Sequence, residues 1–267
     1  MTSSPIGVFD SGIGGISVLK ALRAELPAED FVYVSDSGHA PYGERDPGHV
    51  VARSCAISDY LCDHHKIKAL VIACNTATAA AIDLLRLQYP HLPIIGVEPA
   101  IKPASLTSRT GRVGVMATQG TLESAKFLSL LNSLQGKVEF VTQACDGLAD
   151  AIECADTARV EALCSKYTQA MGRFGTQAWQ IDTVVLGCTH YSFAESQLRT
   201  LLGAEVTLLD SGMPVARQTR RRLEAQARLS SARQPDTQFF ATGFHEGLKS
   251  AANNWLRLDI DVKSISI

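Results

Sequence analysis

The sequence predicts an α/β protein of parallel sheets wound with helices on both faces, arranged as two similar halves. Three observations predict it. Short, wholly apolar runs of strand length alternate with longer stretches of helical periodicity, and strands covered on both faces lose the polar alternation of half-exposed ones. Two of these runs end alike: Ala69-Leu70-Val71-Ile72-Ala73 leads into Cys74-Asn75-Thr76, and Val184-Val185-Leu186-Gly187 leads into Cys188-Thr189-His190. The openings of the halves also match, Ile6-Gly7-Val8-Phe9-Asp10-Ser11-Gly12 against Val113-Gly114-Val115-Met116-Ala117-Thr118-Gln119-Gly120.

Taken in order, strands are expected at residues 6–9, 31–34, 69–73, 94–97, 112–116, 138–142, 183–186, 206–209 and 239–241. Val18, Leu19, Leu22 and Leu26 form the apolar stripe of a helix after the first strand, at the 3.6-residue period. Val50, Ile57 and Leu61 share a face of a second helix that ends at Cys62-Asp63-His64-His65. After Cys74, Asn75 and Thr76 read as caps of a helix continuing through Ala77-Thr78-Ala79-Ala80-Ala81-Ile82. Pro93, Pro99 and Pro103 bracket a crossing between the halves. The run from Arg217 through Arg220, Arg221, Arg222 and Arg228 to Arg233, with Glu224 among them, reads as a solvated helix face.

Composition excludes several function classes. With 267 residues, 46% hydrophobic and 19% charged, and a net charge of −2, the chain gives no electrostatic reason to expect nucleic acid or an anionic membrane. The arginine-rich run lacks the interleaved aromatic residues of a nucleic-acid surface. No stretch approaches the length of a membrane span, and Met1-Thr2-Ser3-Ser4-Pro5 leads into the first strand without the look of a signal peptide, so a cytoplasmic protein is expected. Seven cysteines, an odd number without close pairs, fit free thiols in a reducing compartment. No C-x-x-C occurs, and His64 and His65 at a helix C-terminus complement the dipole without any metal, so no metal site is expected. Cys55, Cys145, Cys154 and Cys164 have no polar cluster around them in sequence and are expected to pack.

The chemistry concentrates at the strand ends. Asp10-Ser11-Gly12-Ile13-Gly14-Gly15 is a poor phosphate loop, because its spacing is not G-x-G-x-x-G and an acidic residue at the turn opposes a phosphate. An aspartate there suits a substrate ammonium, or a partner to be steered or deprotonated. Ser35-Asp36-Ser37 and Pro41-Tyr42-Gly43 add hydroxyls and open backbone after the second strand. Cys74 and Cys188 each sit at a strand-to-helix turn, where a helix N-terminus favours anions and thiolates. A thiol can act as a base, and two of them, one from each half across a cleft, suit stereoinversion: one removes a proton from carbon and the other returns one from the far side. A carbanion beside a carboxylate then needs preorganised donors, for which Asn75, Thr76, Thr189 and Ser11 are candidates.

Together Val8-Phe9-Asp10-Ser11-Gly12-Ile13-Gly14-Gly15, Pro41-Tyr42-Gly43, Cys74-Asn75-Thr76 and Gly187-Cys188-Thr189-His190 resemble the glutamate racemases, cofactor-independent enzymes of bacterial cell-wall synthesis, across nearly the whole chain and in the family's order. The resemblance implies two α/β domains with pseudo-twofold symmetry and an active site in the cleft between them. It implies that Cys74 and Cys188 are the paired acid/base residues, that Asp10 assists Cys74, and that His190 assists Cys188, with Glu153 as the acidic partner nearby. Asp10, Ser11, Pro41, Tyr42, Gly43, Asn75, Thr76 and Thr189 are implied to hold glutamate beside the two cysteines and His190, and Thr118 and Thr121 to contact it as well. It further implies that the C-terminal segment returns to the first domain, giving domains 1–97 with 210–267 and 98–209, and it favours a homodimer.

Three other readings are weighed. A thiol hydrolase using Cys188 and His190 leaves Cys74 unexplained. A two-lobed amino-acid binding protein needs neither cysteine. A pyridoxal enzyme would place a lysine in the strand-end clusters, where none occurs, so no cofactor is expected. Within the same chemistry the rival substrate is aspartate.

Overall fold

The computed structural model describes residues 4–231 and 235–267; Met1, Thr2, Ser3 and Arg233, which the sequence reading touched, lie outside them. The fold divides into two compact units, Met1–Val97 with Gly212–Ile267, and Glu98–Ser211. Asp210 and Ser211, expected with the first domain, fall in the second unit; Ser211 Oγ donates a 2.6 Å hydrogen bond to the Glu98 carbonyl there.

The first unit contains β1 (Ile6–Asp10), α1 (Ile16–Glu25), β2 (Phe31–Ser35), α2 (Pro47–His65), β3 (Ala69–Ile72), α3 (Asn75–Gln88) and β4 (Ile94–Gly96). The second unit supplies α4 (Ile101–Thr107), β5 (Arg112–Ala117), α5 (Gln119–Leu122), α6 (Ala125–Asn132), β6 (Glu139–Ala144), α7 (Leu148–Glu153), α8 (Thr157–Met171), β7 (Thr183–Leu186), α9 (Glu195–Leu202) and β8 (Thr207–Leu209). The first unit is then completed by α10 (Gly212–Glu224), β9 (Thr237–Ala241), α11 (His245–Leu256) and β10 (Val262–Ser264).

All strand pairings are parallel. The first sheet runs β10-β9-β2-β1-β3-β4 and the second β6-β5-β7-β8. The order β2-β1-β3-β4 is therefore repeated as β6-β5-β7-β8, which gives the matched sequence openings a structural counterpart. In each sheet the chain steps from the first strand to one side and returns to the other, and ligands in open α/β sheets bind at such a reversal, beyond the carboxyl ends of the strands. Asp10 and Cys74 lie at the reversal of the first sheet, and Thr118 and Cys188 at that of the second.

Burial follows the apolar runs. β1, β2, β3 and β7 are buried throughout. Phe9, Val34, Leu70 and Ile72 pack with Ile57, Leu61 and Leu85 in the first core, and Ile101, Val113, Val115, Phe127 and Val185 form the second. The expected helical stripe is realised in α1, where Val18, Leu19 and Leu22 are buried. Among the described residues no helix is long and apolar enough to cross a membrane.

In the arginine-rich run, Arg217, Arg221, Arg222 and Arg228 are exposed, while Arg220 reaches Glu25 of α1 at 2.7 Å. All seven cysteines are free, but Cys154 is exposed at the end of α7, contrary to the expectation that it packs; a short helix that turns over directly after Glu153 leaves its last position in solvent.

Asp182, buried just before β7, accepts hydrogen bonds from Ser108 Oγ (2.7 Å), the Arg109 and Thr110 amides (2.7 and 3.0 Å) and Thr183 Oγ1 (3.0 Å). Burial alone pushes its carboxyl up, but these donors outweigh it and hold the acid below its ordinary value. A depressed carboxylate stabilises the fold above its unfolded pKa and loses that contribution as the pH falls through the folded value. The melting-temperature gap between wild type and Asp182→Asn is therefore expected to be widest at neutral pH and to narrow below about pH 4. A gap independent of pH contradicts this.

Candidate active site

In the first unit, β1 ends at Asp10, whose carboxylate is fully buried. Its Oδ1 accepts hydrogen bonds from Ser11 Oγ at 2.9 Å and from the Gly12 amide at 3.2 Å. Cys74 Sγ lies 3.9 Å from Ser11 Oγ and is placed to donate to it. Thiol, hydroxyl and carboxylate thus form a chain in which each hydrogen points toward Asp10. Gly15 of this loop serves packing: a Cβ there would lie 2.7 Å from Asp10 Cβ and 2.8 Å from the Tyr33 hydroxyl, which itself donates to the Gly12 carbonyl at 2.8 Å.

The helix after β3 starts differently from the sequence expectation. Asn75 and Thr76 are its first helical residues, and the cap is Cys74 itself, whose sulfur accepts the Ala77 amide at 3.5 Å. Cys74 has extended backbone (φ −117°, ψ 123°), as an N-cap position requires, so the side chain nearest the free amides is the thiol. Asn75 is left buried, and its Nδ2 has no hydrogen-bond partner among the described residues. An amide donor shut away from water without an acceptor is costly, and a ligand oxygen would relieve it.

In the second unit, Cys188 follows β7 but opens a 3-10 helix, Thr189–Ala194, without a side-chain cap; the α-helix α9 begins only at Glu195. The sequence predicts the same strand, cysteine and capping residues here as in the first turn, and the structure differs. The reason for the difference lies two residues after the cysteine: His190 turns inward, 3% exposed, with Nδ1 3.9 Å from Cys188 Sγ and Nε2 2.7 Å from Glu153 Oε2. Burial is the largest single influence on this imidazole and disfavours its charge, but hydrogen bonds to Cys188 and Glu153, with their charges, together outweigh it and hold the pKa well above the ordinary value. Gly187 lets the end of β7 approach β5, since a Cβ there would lie 2.9 Å from Ala117 Cβ.

Thr118 and Thr121, after β5, are joined by a 2.9 Å hydrogen bond between their hydroxyls, and Thr118 caps α5. Thr189 is buried beside Cys188. Pro41, in a cis peptide with Ala40, precedes a 3-10 turn at Tyr42–Glu44 that contains Gly43. Tyr42 is buried and donates its hydroxyl hydrogen to Asp36 Oδ2 at 2.5 Å, so what the turn leaves open is backbone rather than the phenolic hydrogen.

The predicted residues therefore gather into two groups. Asp10, Ser11, Pro41, Tyr42, Gly43, Cys74, Asn75 and Thr76 belong to the first unit, and Thr118, Thr121, Glu153, Cys188, Thr189 and His190 to the second. Sequence reasoning passed over Arg53 and Thr242, both bonded to Asp36. Asp36 itself was noted only as part of a hydroxyl-rich loop. Among the described residues no cluster of His, Cys, Asp and Glu could hold a metal.

The model of the Asp/Glu/Hydantoin racemase family matches residues 6–219. The chain is 45% identical to the glutamate racemase of Pseudomonas syringae pv. tomato over 90% of this chain and 86% of that protein. Its fold superposes with a TM-score of 0.87 on a glutamate racemase isoform from Bacillus anthracis, at 31% identity and covering 100% and 99% of the two chains. A second structure, glutamate racemase from Francisella tularensis in complex with D-glutamate, gives 0.84 at 26% identity, covering 100% and 98%. With the two-sheet architecture and both cysteine turns, these matches establish that the chain belongs to the Asp/Glu/hydantoin racemase family.

Proposed function

We propose that the chain is a glutamate racemase that needs no cofactor and interconverts L- and D-glutamate by proton transfer through Cys74 and Cys188. One observation carries the reading: each unit brings a cysteine to the reversal point of its sheet and backs it with a carboxylate acting through one intervening group. In the first unit the series is Asp10, Ser11, Cys74, and in the second it is Glu153, His190, Cys188.

In this reading each cysteine acts on one face of the substrate α-carbon. One thiolate takes the α-proton from one face and becomes a thiol. The opposite thiol gives its proton to the carbanion from the other face and becomes a thiolate. The configuration inverts and the two sulfurs exchange protonation states, which reverse turnover or their own carboxylate relays restore. The carbanion is the difficult species, and donors held in place before it forms lower its energy. The unpaired Asn75 amide, the first-turn backbone of α3, and the Thr76, Thr118, Thr121 and Thr189 hydroxyls supply such donors, while Ser11 and the backbone of Pro41, Tyr42 and Gly43 border the first thiol. D-glutamate so formed would serve peptidoglycan synthesis in the cytoplasm, where the free thiols persist.

Gly15→Ala is expected to push Asp10 away from Ser11 and lower kcat about tenfold or more, since small misplacements of catalytic groups carry large kinetic costs. Steady-state kinetics at wild-type fold, checked by circular dichroism, reads it. To test the reading as a whole, pyridoxal-free protein is incubated with L-glutamate and, separately, L-aspartate while optical rotation is followed. Rotation lost with glutamate is expected; rotation lost only with aspartate moves the substrate, and rotation retained with both overturns the racemase reading.

A further inference from the structure

Asp36 follows β2 and is fully buried. Its two carboxylate oxygens collect donors from four separate parts of the first unit. Arg53 of α2 grips both, Nε to Oδ2 and Nη2 to Oδ1, each at 2.9 Å. Thr242, after β9, donates to Oδ1 at 2.7 Å. His39 Nδ1 lies 3.2 Å from Oδ1, and Tyr42 donates to Oδ2 at 2.5 Å. Arg53 has a further hydrogen bond to the Ile267 carbonyl, at 2.6 Å. Tyr42 in turn packs in the same core cluster as Cys74.

A buried carboxylate held by a two-pronged arginine is a strong, directional anchor. Here it fixes the Tyr42 ring, and the ring fixes a turn of only three residues, Tyr42–Glu44. Burial, and to a lesser degree the Asp36 charge and hydrogen bond, push the Tyr42 phenol above its ordinary value.

Building on the racemase reading, we propose that Asp36 is a positioning residue for the reaction: gripped by Arg53, it takes the Tyr42 hydroxyl hydrogen and holds the Pro41-Tyr42-Gly43 backbone in register for substrate beside Cys74. It touches no substrate itself and acts through Tyr42. Asparagine has the same shape but one acceptor oxygen and an NH2 group, so in Asp36→Asn donors meet donors on one side and the turn is released.

The test combines two readouts on Asp36→Asn, Tyr42→Phe and the double variant, all assayed well below their melting temperatures. Amide hydrogen exchange of the segment 37–46 is expected to quicken in Asp36→Asn while β1 keeps its protection. KM for glutamate is expected to rise about ten- to a hundredfold with a smaller change in kcat, as loss of a positioning contact implies. Tyr42→Phe should move KM in the same direction, and the double variant should be no worse than Asp36→Asn alone, because both substitutions act through one contact. A lowered melting temperature with unchanged KM, or unchanged exchange in the turn, overturns the proposal. Wild-type protein that does not racemise glutamate overturns the racemase reading and with it the kinetic role of Asp36, whereas the exchange arm still reports whether Asp36 holds the turn.

Discussion

Replacing either Cys74 or Cys188 by serine is expected to lower kcat for racemisation by about 10³-fold or more, near the upper range of what a positioned acid or base contributes. A hydroxyl is far less acidic than a thiol, so serine cannot carry the anion that removes the α-proton. The fold should survive both changes. Serine at position 74 still offers the Ala77 amide an acceptor and is a favoured N-cap residue, and Cys188 makes no side-chain cap to lose. The two variants are not expected to be mute. Each keeps one thiol, and that thiol still exchanges the α-hydrogen of the one enantiomer whose hydrogen faces it. Cys74→Ser and Cys188→Ser should therefore exchange opposite enantiomers with solvent, which chiral separation and mass spectrometry resolve. A serine variant that racemises at near wild-type rate removes that cysteine from the chemistry.

The second large effect concerns His190. His190→Asn is expected to lower kcat by about 10²-fold, the lower range for loss of a proton-transfer group. Glu153→Gln should cost less, about tenfold, because a neutral amide still orients the imidazole but no longer supports its charge. The pH profile carries the sharper signature. The His190 pKa is held well above its ordinary value against the opposing effect of burial, by Cys188 and by Glu153. Its proton therefore persists through neutral pH and is lost as the pH rises through the folded-state value; with the carboxylate removed that value drops, and the alkaline limb of the rate profile should move to lower pH. Enantiomers have equal free energies, so in every variant kcat/KM must fall equally in both directions. Any asymmetry between Cys74 and Cys188 will appear in kcat and KM separately, not in their ratio.

The parts of the architecture that local pattern controls were legible in the sequence. Apolar runs buried on both faces mark β1, β3 and β7, and the repeated strand-cysteine turn marks the two sheet reversals. Details that depend on which atom is nearest were not. Asn75 and Thr76 are better caps by propensity than cysteine, yet the cap position falls on Cys74 because the strand ends two residues before it and the helix starts at Asn75. At Cys188 the inward turn of His190 to Glu153 replaces the first turn of an α-helix with a 3-10 helix. β10 is hard to read from sequence because it is a three-residue strand that, among the described residues, pairs with β9 at the sheet edge, although Ile260 and Val262 show the alternation that flags it. The Asp36 network was the hardest to see: Thr242 and Arg53 are remote from Asp36 in sequence, and hydrophobic periodicity carries no information about which buried charges meet.

The most direct measurement of the central claim is one early-time racemisation in deuterium oxide, starting from L-glutamate with hydrogen at the α-carbon. Two thiols acting from opposite faces predict D-glutamate that carries deuterium from its first appearance, while the remaining L-glutamate keeps its hydrogen. D-glutamate that retains the original α-hydrogen would mean that a single base returns the proton it took, and would contradict the assignment of Cys74 and Cys188 as a pair.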